Sequence, residues 1–285
     1  MSLENKYDFK VIFSVKNANP NGDPLNGNRP RQDFEGYGEV SDVAIKRKIR
    51  NRLQDMGEKI YIQSNDRTDD GFTNLKDRAD SNEDLKRILK DKKKADVDAF
   101  ARIACENWFD VRAFGQVFAF SGSQVSVGVR GPVSVQLAES VDPVEVSSMQ
   151  ITKSVNSVPG DGKGSDTMGT KHFVTNAVYV FNGSINPQLA EKTGFTDNDA
   201  EKILEALKSL FENDTSSARP DGSMVVEKVY WWKHSSKSGT YPSAKVHRSV
   251  KIAKKEEIEI PRSIDDYDIL TEELDGLATQ VFDGM

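Results

Sequence analysis

Histidine and cysteine side chains, the usual ligands of zinc, are few in this 285-residue chain. Its three histidines, His172, His234 and His247, do not have the spacing of a zinc signature. The single cysteine, Cys105, rules out an intramolecular disulfide and any multi-cysteine metal site. We therefore predict no metal and no cofactor, and we expect a reducing, cytoplasmic compartment.

A calcium loop is also excluded by residue type. Asn19, Asn21 and Asp23 have the alternating oxygen side chains with which such a loop begins. The glycine and the acidic residue required later in that loop are replaced by Pro24 and Pro30.

Catalytic carboxylates are a weaker possibility. A metal-dependent nuclease needs clustered acidic residues near a basic face, and only Asp23, Asp33 and Asp110 are suitable candidates. They are better explained as solvated loop acids, or, for Asp110, as a structural hydrogen-bond acceptor, because a loop acid is rarely catalytic. We predict no catalytic residue, and the nuclease remains the alternative.

The segment VSDVAIKRKIRNRLQDMG, residues 40–57, predicts a basic amphipathic helix. Ser41 is a suitable N-cap and Gly57 a suitable C-terminal stop. Ile45, Ile49 and Leu53 fall on one stripe about 80° wide. The remaining surface is predicted to be positively charged, because the sequence has no carboxylate between Asp42 and Asp55. Its basic and amide side chains are Lys46, Arg47, Lys48, Arg50, Asn51 and Arg52.

The net charge of −6 hides an uneven distribution of charge along the chain. Residues 256–285 carry ten acidic residues against one basic residue, Arg262, so the rest of the chain has a net charge of +3. A basic face is therefore compatible with the acidic total. The sequence shows neither an apolar run of about 18 residues nor a secretion signal, and we expect no membrane contact.

Hydrophobic periodicity predicts an α+β fold of the RRM-like or ferredoxin-like type, with the strand and helix order of a split βαβ unit. Its palm is predicted to comprise residues 1–63 and 111–255, interrupted by a helical insertion at 64–110. Residues 146–171, rich in Ser, Gly and Thr, predict a flexible projection. The predicted strands are 7–15, 59–63, 127–137, 172–185 and 224–232, and the first of them is predicted to have one buried side. The predicted helices are 41–57, 83–94, 96–108 and one capped by Thr196. Residues 17–39 are predicted to form a long loop.

Six sequence blocks resemble one protein family. They are NPNGDPLNGNRPR, VSDVAIKRKIRNR, DVRAFGQVFA, GVRGPVSVQ, TKHFV and SSARPDGSM. The blocks lie between Asn19 and Met224, and the resemblance covers the chain from about residue 7 to residue 252. The chain resembles the Cas7 family of CRISPR-associated proteins, in particular the backbone subunit of type I-C Cascade. The acidic segment 256–285 receives no role from this resemblance.

The resemblance implies a non-catalytic subunit that binds CRISPR RNA and polymerises along it in an antiviral surveillance complex. Residues 64–110 would be a helical finger, and residues 146–171 a thumb that reaches the next copy. The implied partners are CRISPR RNA, target DNA through the guide, further copies of the chain and other Cascade subunits. The alternative is a metal-dependent ribonuclease on the same fold, as in related effector subunits.

The resemblance also implies RNA contacts. The aromatic motif of a standard RRM is missing, so we expect backbone contacts through loops rather than base stacking on the sheet. Arg112 could contact RNA or could equally form a structural ion pair. Met168 could insert beside a displaced base or could have no role. The implied RNA-binding residues are Asn21, Arg29, Arg31, Ser41, Lys46, Arg47 and Arg50, and, near the thumb, Arg112, Arg130, Met168, Lys171 and His172.

Overall fold

Helices and strands both contribute to the fold, as predicted. The computed structural model describes residues 3–90, 96–120, 126–152 and 168–285. The helices are α1 Asp42–Asp55, α2 Leu75–Asp80, α3 Glu83–Lys90, α4 Val97–Asn107, α5 Phe109–Phe114, α6 Pro187–Thr193, α7 Asp197–Lys208 and α8 Ser243–Arg248. The strands are β1 Tyr7–Ala18, β2 Gly22–Asp23, β3 Arg29–Pro30, β4 Tyr37–Val40, β5 Gly115–Ala119, β6 Ser126–Arg130, β7 Val133–Val135, β8 Ala138–Pro143, β9 Val146–Thr152, β10 Met168–Ile185, β11 Met224–Lys233, β12 Val250–Lys254, β13 Tyr267–Thr271 and β14 Gln280–Asp283.

One large sheet organises the molecule. Its strand order is β14-β11-β1-β10-β8-β4, and every pairing in that order is antiparallel. The long strand β10 also pairs with β7 and with β9, so it continues from the sheet into a two-stranded extension. Phe9 of β1 lies opposite Gly183 of β10, and its ring occupies the space that a side chain at Gly183 would need.

The first face of the sheet packs on α1 and α7. Alternate residues of β1, among them Phe9 and Phe13, are buried against Ile49 of α1 and Ile203 of α7. This confirms the predicted inward face of β1 and the predicted helix that follows Thr196. The Thr196 hydroxyl accepts a hydrogen bond from Asp199 N, as an N-cap does.

The second face of the sheet is also covered, and the prediction that β1 has only one buried side is wrong. Ile12 of β1 packs with Trp232 of β11 beneath the C-terminal segment. Tyr267 and Leu277, both from the acid-rich residues 256–285, are buried there. A few apolar anchors among many acidic residues are enough to hold this segment in the fold.

A second core lies in the insertion. The predicted helices at 83–94 and 96–108 correspond to α3 and α4, and residues 91–95 lie outside the described residues. Phe100 of α4 packs with Phe118 and Val127, so this core continues past position 110 into the hairpin of β5 and β6. None of the helices in the described ranges has both the length and the apolar character needed to cross a bilayer.

Two predicted elements are wrong. Residues 59–63 form no strand, because the backbone N–H groups of Tyr61 and Ile62 donate to the carboxylate of Asp110 instead of to a neighbouring strand. The predicted strand 127–137 is divided into β6 and β7, which belong to different sheets.

The predicted flexible projection is a paired ribbon in its described parts. Strand β9 pairs with residues 168–174 of β10 in a continuous register from Val146 opposite Val174 to Thr152 opposite Met168. We call these two segments the β9–β10 ribbon. Residues 153–167, which include most of the predicted thumb loop, lie outside the described residues.

Candidate nucleic-acid interface

Helix α1 begins and ends where the sequence predicts. The Ser41 hydroxyl accepts a hydrogen bond from Ala44 N at 3.2 Å, and Gly57 has a φ of +87° that favours glycine. Ile45, Ile49 and Leu53 are buried on one edge. These local signals confirm the helix and its apolar stripe.

The prediction that the rest of α1 is a free positive surface is wrong. Lys48 pairs with Asp214, and Arg52 Nη2 lies 2.6 Å from Glu212 Oε2. Lys46 Nζ lies 2.9 Å from Asp42 Oδ2, one helical turn away. Carboxylates brought in by the fold neutralise much of a helix that seemed unpaired in sequence.

Arg50 has a structural role in this fold, and its predicted contact with RNA stays a prediction. Its Nε donates to Asp110 Oδ2 at 3.0 Å, and its guanidinium lies 5.0 Å from the centre of the Phe114 ring. Asp110 is 1% exposed and also accepts hydrogen bonds from the backbone of Tyr61 and Ile62. Arg50 therefore joins α1 to the insertion.

Arg47 and Arg112 are also engaged within the protein. Arg47 Nη1 donates to the carbonyl oxygen of Ile62 at 2.6 Å, and burial, with a further contribution from Arg50, lowers the pKa of Arg47. Arg112 Nη2 lies 2.8 Å from Asp199 Oδ1 in α7. Of the two roles left open for Arg112, the structural ion pair is the one present, and RNA contact by Arg47 stays a prediction.

The loop before α1 is folded and brings three predicted residues together. Asn21 Oδ1 accepts a hydrogen bond from Ser41 N at 2.9 Å, and the Asn21 carbonyl accepts one from Arg31 N at 3.1 Å. The Arg31 guanidinium lies 3.5 Å from Asp23 Oδ1 and is partly exposed. The short antiparallel pair of β2 and β3 gives the loop its shape.

Arg29 joins this loop to the β9–β10 ribbon. Its Nη1 lies 3.1 Å from Ser148 Oγ and 3.3 Å from His172 Nδ1. Ser148 Oγ lies 2.8 Å from that same ring nitrogen. Arg29 and His172 were predicted separately, 143 positions apart, and the fold brings them into contact.

Ser148 is a residue that sequence reasoning missed. It lies directly opposite His172 in the ribbon register. Nothing in the local pattern around 148 indicates this pairing, since it depends on how β9 aligns with β10. A hairpin prediction with the correct register would have been the signal.

The other predicted thumb residues are more dispersed. Lys171 directly precedes His172 on β10, so its side chain lies on the opposite side of the ribbon. Met168 is exposed, with its sulfur 2.7 Å from Gln150 Nε2. Arg130 is exposed at the end of β6 rather than on the ribbon.

The three candidate nuclease acids do not meet. Asp23 accepts from Leu25 N, and Asp33 accepts from Glu35 N and Tyr37 N, as turn residues do. Asp110 holds Arg50, as described above. Within the described ranges, no three His, Cys, Asp or Glu side chains gather as a metal site would require.

What remains is one surface with the groups that bind a nucleic-acid backbone: guanidinium, hydroxyl, amide and imidazole. It is formed by the loop before α1, by the first turn of α1 and by one face of the ribbon. We call it the loop–ribbon face, and its residues are Asn21, Arg29, Arg31, Ser41, Ser148 and His172.

Comparison with known proteins gives the family. The family model described as CRISPR-associated protein Cas7 matches residues 5–272, which include every residue of the loop–ribbon face. The chain belongs to the Cas7 family. A Cas7 protein of Haloferax volcanii is 27% identical over 241 residues, covering 76% of this chain and 67% of the relative.

Solved structures also resemble this Cas7 chain. A chain of a CRISPR RNA-guided surveillance complex described as pre-nicking aligns with a TM-score of 0.50 and 17% identity, covering 80% of this chain and 78% of that one. A second surveillance complex aligns with a TM-score of 0.47 and 18% identity, covering 80% and 68%. The first likeness shows a shared fold.

Proposed function

We propose that this chain is a non-catalytic backbone subunit of a type I-C Cascade complex, which binds CRISPR RNA in the cytoplasm. The observation that carries the proposal is the contact of Arg29 with Ser148 and His172. It joins two distant segments into one surface suited to a sugar–phosphate backbone. Family membership and the similarity to chains of RNA-guided complexes support it.

The sheet supports an RRM-like palm with an unusual binding side. The partial order β11-β1-β10-β8, with α1 and α7 on one face, is compatible with a split βαβ fold. A standard RRM stacks bases on the opposite face, but here the C-terminal segment covers that face. RNA is therefore expected along the loop–ribbon face.

Backbone contacts suit a subunit that repeats along a guide. Contacts to phosphate and sugar carry no sequence information directly, so identical copies can coat any spacer. Base pairing between guide and target DNA then supplies the specificity. Further copies would stack head to tail, with the insertion as finger and the ribbon as thumb, beside other Cascade subunits.

The experiment is RNA binding as a function of salt. The triple variant Arg29→Ala, Arg31→Ala, Lys46→Ala removes the two arginines of the loop–ribbon face and the partly exposed lysine that follows its first α1 turn. We expect it to weaken binding to unrelated RNAs equally. The slope of log affinity against log salt should fall by about 2, at roughly 0.7 per phosphate contact on single strands. The matched control replaces three lysines outside the loop–ribbon face, Lys237, Lys245 and Lys251.

The outcomes separate the proposal from its alternatives. An unchanged slope in the triple variant, or an equal loss in the control, would remove the loop–ribbon face from RNA binding. The same samples incubated with Mg²⁺ or Mn²⁺ should leave the RNA intact. Cleavage that disappears in Asp23→Asn, Asp33→Asn would support the metal-dependent ribonuclease instead.

A further inference from the structure

The ribbon presents a polar face built from hydroxyl, amide and imidazole groups. Ser148 lies opposite His172, and Gln150 lies opposite Thr170 in the next pair along the same face. Hydroxyl and amide side chains both donate and accept hydrogen bonds. Arg29, which contributes the charge, reaches the inner end of this face from β3.

The hydrogen-bond partners of the His172 ring indicate which of its nitrogens carries the hydrogen. A guanidinium only donates, so Arg29 Nη1 donates to Ser148 Oγ at 3.1 Å. The same guanidinium lies 3.3 Å from His172 Nδ1, which must therefore accept, and the Ser148 hydroxyl, 2.8 Å from that nitrogen, donates its hydrogen to it. With Nδ1 as acceptor, the hydrogen of the neutral ring is on Nε2, which becomes a donor.

This chemistry fits a sugar better than a phosphate alone. Phosphate oxygens only accept hydrogen bonds and are bound mainly by cations and N–H groups. A ribose 2′-hydroxyl donates and accepts, and it is the group by which proteins distinguish RNA from DNA. The polar face offers both kinds of partner beside one guanidinium, which can hold the adjoining phosphate.

We infer that Arg29, Ser148 and His172 form a ribose-reading site, which admits a strand with 2′-hydroxyls and disfavours DNA. The inference rests on the proposed function and extends it. A subunit that holds a guide RNA while target DNA is present needs to distinguish the RNA strand from the DNA strand. A charged groove cannot do so, because both strands carry the same phosphates.

The test compares RNA, DNA and 2′-O-methyl RNA of one sequence and length on the purified full chain. We expect wild type to prefer RNA over the other two strands. Ser148→Ala and His172→Phe should each lower RNA affinity by about threefold to tenfold, the value of one net hydrogen bond, and leave DNA affinity unchanged. The matched control is Ser147→Ala, because the neighbouring side chain faces the other side of the ribbon.

Arg29→Lys tests whether Arg29 positions the other two side chains. Lysine keeps the charge but cannot reproduce the planar guanidinium, so the salt slope should stay and the RNA preference should fall. Equal losses of RNA and DNA affinity in the Ser148 and His172 variants would overturn ribose reading. Wild-type binding to RNA without any preference over DNA would overturn this inference alone, whereas no RNA binding would overturn the proposed function as well.

Discussion

Asp110 was a candidate for two roles, catalytic carboxylate and structural hydrogen-bond acceptor. Its carboxylate, 1% exposed, accepts hydrogen bonds from Arg50 Nε, Tyr61 N and Ile62 N at 3.0, 2.7 and 3.1 Å. Three such donors leave it occupied as a structural acceptor. The sequence could not distinguish this role from catalysis, because Arg50 lies 60 positions away.

Replacing Arg50 by alanine should therefore affect folding. Removing one partner of a buried ion pair leaves an uncompensated charge and typically costs about 3–5 kcal/mol. We expect a loss toward the lower end, near 3 kcal/mol, because two backbone N–H groups still hold Asp110. Urea denaturation of the purified variant measures the free energy of unfolding.

Arg87→Ala is the matched control for that measurement. Its ion pair with Asp84 on α3 is largely exposed, and an exposed pair contributes about 0–1 kcal/mol. If Arg50→Ala lowers the free energy of unfolding no more than Arg87→Ala does, the ion pair of Arg50 with Asp110 does not stabilise the fold.

At the scale of elements, the sequence predicted what local signals determine. The caps at Ser41 and Thr196 and the apolar periodicity of β1, α1 and α7 involve neighbours within a few residues, and these elements are present. The ionic partners of α1 are not local: Asp214 lies 166 positions from Lys48. The register that places Ser148 opposite His172 is equally non-local. The sequence therefore indicated most residues of the candidate loop–ribbon face but not Ser148.

The second side of the ribbon has a predicted role in assembly. Met149 and Ile151 are 54% and 49% exposed and lie on the side opposite to His172. Exposed apolar side chains on a projecting element are favourable contacts for a neighbouring copy. We expect Met149→Ser, Ile151→Thr to keep the affinity for a short RNA but to form shorter assemblies on a long one.

Analytical ultracentrifugation with short and long RNA measures this difference. Val117→Ser is the control, because Val117 is an exposed valine on β5, away from the ribbon. Assemblies of wild-type length from the double variant would show that this side of the ribbon makes no contact between copies.

For the whole molecule, the main surprise is a sheet covered on both faces. Composition marked residues 256–285 as an acidic segment without a role, yet Tyr267, Leu274 and Leu277 close a core over Ile12. Three apolar residues spaced among ten acidic ones give no periodic signal. The acidic charge therefore belongs to the covering of the second face, and the total of −6 says little about the loop–ribbon face.

Covering that face also buries a lysine, with a consequence for pH. Lys10 is 8% exposed, and its Nζ donates to the carbonyl oxygen of Val250 at 2.7 Å. Burial lowers the pKa of Lys10 to about 8, from 10.5 in an unperturbed side chain. Between these two values the unfolded chain binds more protons than the folded chain, so the free energy of unfolding should rise with pH.

The variant Lys10→Met isolates this contribution. Urea denaturation at pH 7 and at about pH 9.5 measures the free energy of unfolding of both proteins. Between these two pH values, the free energy of unfolding of wild type should rise by roughly 2 kcal/mol more than that of the variant. Other groups titrate nearby: burial lowers the pKa of Lys48 to about 8, despite Asp214, and raises the pKa of Cys105 to about 11. Both groups contribute equally to wild type and variant, so the difference between the two proteins removes their contributions.

The control is Lys251→Met, at an exposed position of β12, whose free energy of unfolding should change with pH as that of wild type does. A difference between wild type and Lys10→Met that stays constant with pH would mean that Lys10 keeps its ordinary pKa and that the C-terminal covering admits water to it.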